Sequence, residues 1–304
     1  MSHLPHVKRF ALGLALVVLA LVGLGFRSVR ADVEAAQRTA VLAQAPPSSD
    51  TDFVRLTPKC RQDNTAFSTG ERVVYKLYYN LNFIWIPAGE VTFTVEDLGT
   101  EYKLVAVGET YASYEWFFKV RDRYESYVDK ETLLPRRAVR EIHEGNYDLY
   151  ERIDFDQAGR TGVTYRGHTK TEAMAQPKPF TAETCLHDVL SSIYYMRNTD
   201  LSEVPANGLI PLSVIMSHEI YPLDVRLLGQ AEEKKVKGLG RFDAYELVPQ
   251  LVAGDVFDED AEMRVWASAE SSHVPLTIES PVSVGSVKAI LKEHSRLRHP
   301  LVKR

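Results

Sequence analysis

From Phe67 onward the apolar residues fall on alternate positions. Val73, Tyr75, Leu77 and Tyr79 share one parity, with Lys76, Tyr78 and Asn80 on the other, the period-two pattern of a half-buried strand. Pro87-Ala88-Gly89 reads as a turn, and Val91, Phe93 and Val95 resume the alternation beyond it. Leu98-Gly99-Thr100 marks the next turn, before Tyr102, Leu104 and Ala106. Further strands are predicted at Arg123–Val128, Arg136–His143, Tyr147–Phe155 and Gly162–Gly167, with Glu144-Gly145-Asn146 and Asp156–Arg160 as punctuation. A loop is expected at Ala175–Pro179.

The period then changes once. Leu186, Val189, Leu190, Ile193 and Tyr194 are spaced by three and four, which predicts one amphipathic helix near 183–197, with Arg197 in the last turn and Asn198 as its stop. Strand patterns return at Ile210–Met216, Leu223–Leu227, Phe242–Val248, Met263–Ala267, Leu276–Ile278 and Val287–Leu291. The class is therefore mainly β: an antiparallel meander forming a half-barrel, a barrel or a sandwich. It reads as a single β-rich domain over 59–295, or as two β lobes, about 60–172 and 205–295, around the helix. Charges such as Arg137, Arg140, Glu151 and Arg152 interrupt the alternate faces, unlike the apolar outer band of a membrane barrel.

The N-terminus obeys neither period. Met1–Arg9 carries Lys8 and Arg9 and no acid, and Phe10–Phe26 is a run of 17 uncharged residues ending at Arg27. A basic stretch, an apolar stretch and the small pair Val29 and Ala31 make residues 1–31 a secretory signal. The run also reaches the bottom of the length that spans a bilayer, roughly 17–25 residues, so an uncleaved anchor is the alternative. Either way the remainder lies in the periplasm, and membrane contact is expected only through an uncleaved N-terminus. Residues 32–58, with Pro46-Pro47-Ser48-Ser49, read as a flexible linker, and 296–304 as a basic tail.

Charge narrows the partners. Removing Lys8, Arg9, Arg27 and Arg30 from the 36 basic residues leaves 32 against 41 acidic. A nucleic-acid partner, which needs a basic surface, is excluded. Two cysteines remain, Cys60 and Cys185. In an oxidising compartment they form a disulfide, with two separate buried thiols as the alternative.

An ordered set of short motifs carries a family resemblance. Phe67-Ser-Thr-Gly70-Glu71-Arg-Val-Val-Tyr75, Ile84-Trp85-Ile86-Pro-Ala88-Gly89-Glu90, Val120-Arg121-Asp122-Arg123-Tyr124-Glu125-Ser126-Tyr127 and Leu134-Pro135 are followed by Asp188-Val-Leu-Ser-Ser-Ile-Tyr194-Tyr195-Met-Arg197. Gly240-Arg-Phe242, Val265-Trp266 and Gly285-Ser286-Val287 complete the set. Together they resemble the bacterial domain-of-unknown-function family 3108 over roughly residues 60–292. The resemblance implies an exported envelope protein of predominantly β fold with no established activity, and it supplies no catalytic residues.

No motif for a nucleophile, a phosphate or a cofactor is present, so no cofactor is expected. His143-Glu144 and His218-Glu219 begin like zinc-protease motifs, but Tyr147 and Pro222 stand where the second His belongs. No metal site is expected there. His187, Asp188, Ser191 and Ser192 share a helical neighbourhood that a hydrolase would need, and that the polar face of a helix also explains. The acidic run Asp255, Asp258, Glu259, Asp260 and Glu262 lacks the spacing and turn glycine of a calcium loop. Arg121, Asp122, Arg123 and Glu125 are expected to pair across strands. The aromatics are the suggestive group. Tyr79, Trp85, Trp116 and Phe117 are taken as candidates to line a concave β surface that holds a lipid or another apolar ligand. The expectation is a non-enzymatic envelope protein binding such a ligand or an envelope component. An assembly or interaction protein with a filled core and an envelope protein partner is the alternative, and a hydrolase comes third.

Overall fold

The computed structural model describes residues 53–81, 84–116, 119–251, 261–281 and 285–304. The expected export signal, most of the expected 32–58 linker, Phe117, and Asp255, Asp258, Glu259 and Asp260 lie outside the described residues.

The period-two segments become strands β1 (Arg72–Leu81), β2 (Ile84–Asp97), β3 (Glu101–Thr110), β4 (Arg121–Asp129), β5 (Pro135–Glu144), β6 (Tyr147–Asp156) and β7 (Thr161–Gly167). A short helix α1 (Lys170–Met174), strand β8 (Pro177–Thr181) and helix α2 (Val189–Arg197) follow. The chain ends with β9 (Leu209–Met216), β10 (Glu219–Val236), β11 (Gly240–Pro249), β12 (Arg264–Ser268), β13 (Pro275–Pro281) and β14 (Ser286–Ser295). All fourteen belong to one antiparallel sheet, ordered β8-β7-β6-β5-β4-β3-β2-β1-β14-β13-β12-β11-β10-β9. Each strand pairs with its sequence neighbours, except that β8 and β9 do not pair and β1 also pairs with β14, Arg72 opposite Ser295 and Asn80 opposite Ser286.

The two free edges are β8 and β9, and the chain between them contains α2. Both edges carry proline where an outward N–H would otherwise be left over. Ala182 donates to the carbonyl of Arg160, so Pro179 and Pro177, opposite Val163 and Tyr165, occupy the non-bonded positions of β8. This is why the segment expected as a loop at 175–179 is an edge strand from Pro177: proline is excluded only where a donor is required. On β9, residues 54–56 add in parallel at Leu209, and His187 bonds Ser213 and Ile215, with Pro211 between the two attachments.

Pro87-Ala88-Gly89 also departs from expectation. It lies inside β2, where the register with β1 slips between Leu77 and Tyr78 and sets Pro87 across from Tyr78. Gly89 is needed because a Cβ there would stand 2.3 Å from the Glu109 carbonyl oxygen.

Helix α2 starts later than its apolar spacing implies. Asp188 ends the extended segment and caps the helix: its carboxylate accepts from the Leu190 and Ser191 N–H groups, while Ser191 Oγ accepts from the Asp188 N–H, a capping box. Residues before Asp188 run against β9 instead. One face of α2, Leu190 and Tyr194, enters the main core with Phe67, Val73 and Phe93. The β9–β10 hairpin folds onto β5–β7. Ile215 packs with Ala138, Ile153 and Leu186, Glu151 accepts from the Ser217 N–H at 2.9 Å, and Arg140 pairs with Glu151 at 2.9 Å. Cys60 and Cys185 form a disulfide with Cα atoms 5.5 Å apart, fixing the segment before β1 to the segment before α2. Among the described residues no helix is long and apolar enough to cross a membrane.

Candidate functional site

The second face of α2 carries Val189, Ser192, Ile193 and Met196, spaced by three, one and three, and these line a cavity rather than filling the core. Opposite them stand Leu212, Val214 and Met216 of β9 and Leu223 and Val225 of β10. Leu247, Val265 and Ile278 of β11–β13 form the curved wall, and Tyr75 and Phe93 close the side toward β1 and β2. The volume is about 200 Å³. A single water needs roughly 10–15 Å³ by such a measure, and apolar walls give water few partners.

The floor lies at the C-terminal end of α2. Arg197 is buried there and fully engaged. Its guanidinium grips both oxygens of Glu71 at 2.6 and 3.0 Å, and Nε donates to the Ser272 carbonyl at 3.0 Å. Burial works against the charge of Arg197, but the Glu71 carboxylate outweighs it and raises the guanidinium's pKa. His273 closes the floor, its Nδ1 2.9 Å from the Arg197 carbonyl, and burial pushes its pKa down. The Tyr75 hydroxyl donates to Pro275 O at 2.8 Å and Ser192 Oγ to Val189 O at 2.7 Å. Burial raises the Tyr75 pKa. The polar atoms along the wall are thus spent on the protein, and none of these groups offers a charge to a ligand.

The opposite end is the mouth. It carries Tyr221, Asp224, Gln250 and Leu251, and it is marked as the mouth by Gln250, which is exposed where the other lining residues are buried or half-buried. Arg55 reaches Asp224 at 3.0 Å, so the N-terminal segment enters the fold beside the mouth.

The aromatics read from the sequence go elsewhere. Tyr79 is buried in the main core. Trp85 lies half-open under Lys288, whose Nζ is 4.7 Å from the ring centre. Trp116 is 83% exposed, with Nε1 donating to Ser113 O. None of the three lines the cavity. Of the wider aromatic group, Tyr75 and Phe93 do. The cavity is mostly aliphatic, so attention to aromatics missed it; the available signal was the second apolar stripe on α2.

The hydrolase-like set is a helix start. His187 Nδ1 lies 3.4 Å from Ser191 Oγ, but both side chains are buried, and Ser191 and Asp188 are committed to the cap. Burial pushes the His187 pKa down to about 4. Asp188 also accepts from Ser126 Oγ at 2.5 Å. Glu262 pairs with Arg226 and Arg264. Arg121 pairs across strands with Glu109 and also with Glu115, whereas Asp122 is buried beside Glu144. Burial raises the pKa of both carboxyls, and their mutual repulsion raises that of Asp122 further. Among the described residues no cluster of three His, Cys, Asp or Glu side chains is arranged to hold a metal ion.

A family model described as a protein of unknown function (DUF3108) matches residues 74–292. No curated protein matches the chain. Among solved structures, a β-barrel-like protein of domain of unknown function DUF1849 from Brucella abortus is similar at 10% identity and a TM-score of 0.49. The match covers 76% of this chain and 99% of that one.

Proposed function

The chain belongs to the DUF3108 family of proteins of unknown function, and from that premise we propose that it is an exported envelope protein that holds an apolar ligand without transforming it. The observation that carries this reading is the cavity between α2 and β9–β13, about 200 Å³ and walled by aliphatic side chains. Unfilled apolar space is costly. An apolar occupant would remove this aliphatic lining from water, a gain of roughly 25 cal/mol per Å² covered. The engaged state of Arg197, Tyr75 and Ser192 favours an uncharged hydrocarbon portion inside the cavity, with any polar end left at the mouth.

Export is supported by the basic-then-apolar N-terminus and by the Cys60–Cys185 disulfide, which suits an oxidising compartment such as the periplasm.

Native mass spectrometry of protein purified from a bacterial periplasm tests the reading, with extraction and identification of bound lipid. A reproducible apolar adduct is expected, and Ile193→Trp, which fills the cavity, should abolish it while the disulfide and circular dichroism stay unchanged. A bare mass for the unaltered protein, with no shift when fatty acids are supplied, would refute it.

A further inference from the structure

We propose that the β9–β10 hairpin is the gate of the cavity, latched at its tip and swinging off β5–β7 to admit or release the apolar ligand of the proposed function, on which this reading rests. The hairpin is one wall of the cavity, through Leu212, Val214 and Met216 of β9 and Tyr221 and Leu223 of β10. It also outreaches the neighbouring strand. β9 and β10 pair from Leu209 and Arg226 to Met216 and Glu219. β10 joins β11 only from Val225, opposite Pro249, and through the Gln250 N–H to the Asp224 carbonyl. Among the described residues, 210–223 are therefore a two-stranded arm, an element that is marginal by itself.

Few contacts hold the arm in place. His187 exchanges two backbone hydrogen bonds with Ser213 and Ile215, and the Ile215 side chain packs on Ala138 and Ile153. The contacts at the tip are polar. The Ser217 N–H donates to Glu151 at 2.9 Å, Arg140 donates to Ser217 Oγ at 3.1 Å, and His218 Nδ1 lies 2.5 Å from Thr164 Oγ1. The turn that presents these groups is strained. Ser217 and His218 have φ of 51° and 71°, where a two-residue hairpin loop favours Asn-Gly. Asn-Gly would suit the turn better; Ser-His instead supplies the side chains that grip β5–β7, and strain of this kind gathers at moving parts.

The contact under the tip is also loosely filled. A second cavity of about 20 Å³ lies between Ile215 and Met216 of the arm and Tyr124, Arg140 and Glu151 of the sheet. That is room for a water, and the buried Tyr124 hydroxyl has no acceptor for its proton. Val189 and Met216 line both cavities. Lifting Met216 with the arm joins the two and opens the larger one along the hairpin, and Tyr221 at the mouth moves with it.

A latch bond counts only while the arm is shut, whereas strain within the turn is present in both states. His218→Gly separates the two, because it suits the turn and removes the bond to Thr164. Ser217→Ala removes the bond from Arg140. Neither residue lines the cavity. Stopped-flow binding of a fluorescent fatty acid to the full chain should show association and dissociation rates that rise together at unchanged affinity, about fivefold for each hydrogen bond lost. A second measurement needs neither variant: hydrogen exchange of the unaltered protein should open residues 213–222 before β5 and β6. No binding of the fatty acid would overturn the ligand reading and the gate together. Binding whose rates ignore both substitutions, or an arm that exchanges no sooner than β5 and β6, would overturn the gate alone.

Discussion

Glu71 and Arg197 form the ion pair that ties the floor of the cavity to the start of β1. Their side chains are 1% and 5% exposed, and two hydrogen bonds of 2.6 and 3.0 Å join them. Glu71→Gln keeps the shape and removes the negative charge, leaving a buried guanidinium without its counter-ion. Breaking one side of such a pair costs about 3–5 kcal/mol. In a domain of this size each kcal/mol moves the melting temperature by roughly 2–4 °C, so a fall of about 6–20 °C is expected. Arg197→Met should cost a similar amount, because it strands Glu71 and also deprives the Ser272 and Ala66 carbonyls of a donor. The double variant Glu71→Leu/Arg197→Met removes both charges together. Only the loss at the two carbonyls should remain, about 1–3 kcal/mol, giving a coupling of roughly 3 kcal/mol or more between the sites. Urea unfolding followed by tryptophan emission measures all variants, provided the slopes stay equal. Costs that simply add in the double variant, or a Glu71→Gln cost below about 1 kcal/mol, would refute the claim that this pair is a single electrostatic unit.

Burial raises the Asp122 and Glu144 carboxyls, so the folded state keeps protons that the unfolded chain releases above about pH 4. Stability should be greatest below that pH on this account and should fall as pH rises, by about 1.4 kcal/mol per unit for each proton held; Asp122→Asn should flatten the decline in urea midpoints between mildly acidic and alkaline buffers. Replacing Cys60 and Cys185 by Ser opens a loop of 125 residues' separation, and the chain-entropy relation puts the loss near 5 kcal/mol; an unchanged unfolding midpoint for the double serine variant would contradict it. Asp188→Ala should cost about 1–2 kcal/mol as a lost helix cap while Asp188→Asn costs far less, because asparagine caps equally well. Equal losses in the two Asp188 variants would show that the charge matters more than the cap.

Much of the fold is legible in the alternation. The thirteen segments read as strands all appear, because a sheet with one buried face imposes period two wherever it has a core. What fails is punctuation. Pro87-Ala88-Gly89 carries turn chemistry, yet the β1–β2 bulge and the approach of Glu109 use it within a strand. Pro177 and Pro179 look like breakers, yet they lie on an edge, a position no local pattern reveals. The start of α2 is decided by Asp188, whose capping partners are local, but the extended stretch before it is held by β9, far away in sequence. The site is less legible for a related reason. Whether Ile193 faces packed core or open space depends on how far β9–β13 stand from α2, and side-chain periodicity carries no information about that separation. The buried Asp122–Glu144 pair was also hidden, since both residues look like ordinary surface charges in the sequence.

The pairing of β1 with β14 sets the order in which a threaded chain can finish folding. A polypeptide emerging N-terminus first can form hairpins β1–β2 through β7–β8 as it appears, since each is local and closes quickly. One edge of β1, from Arg72 to Asn80, must nevertheless wait for the last strand. Until then a long, apolar strand presents unpaired backbone to its surroundings, a ready template for pairing with another chain. A chaperone that shields this edge until β14 arrives should therefore raise the folded yield. A chain truncated just before Ser286 should accumulate as aggregates rather than as a smaller folded protein.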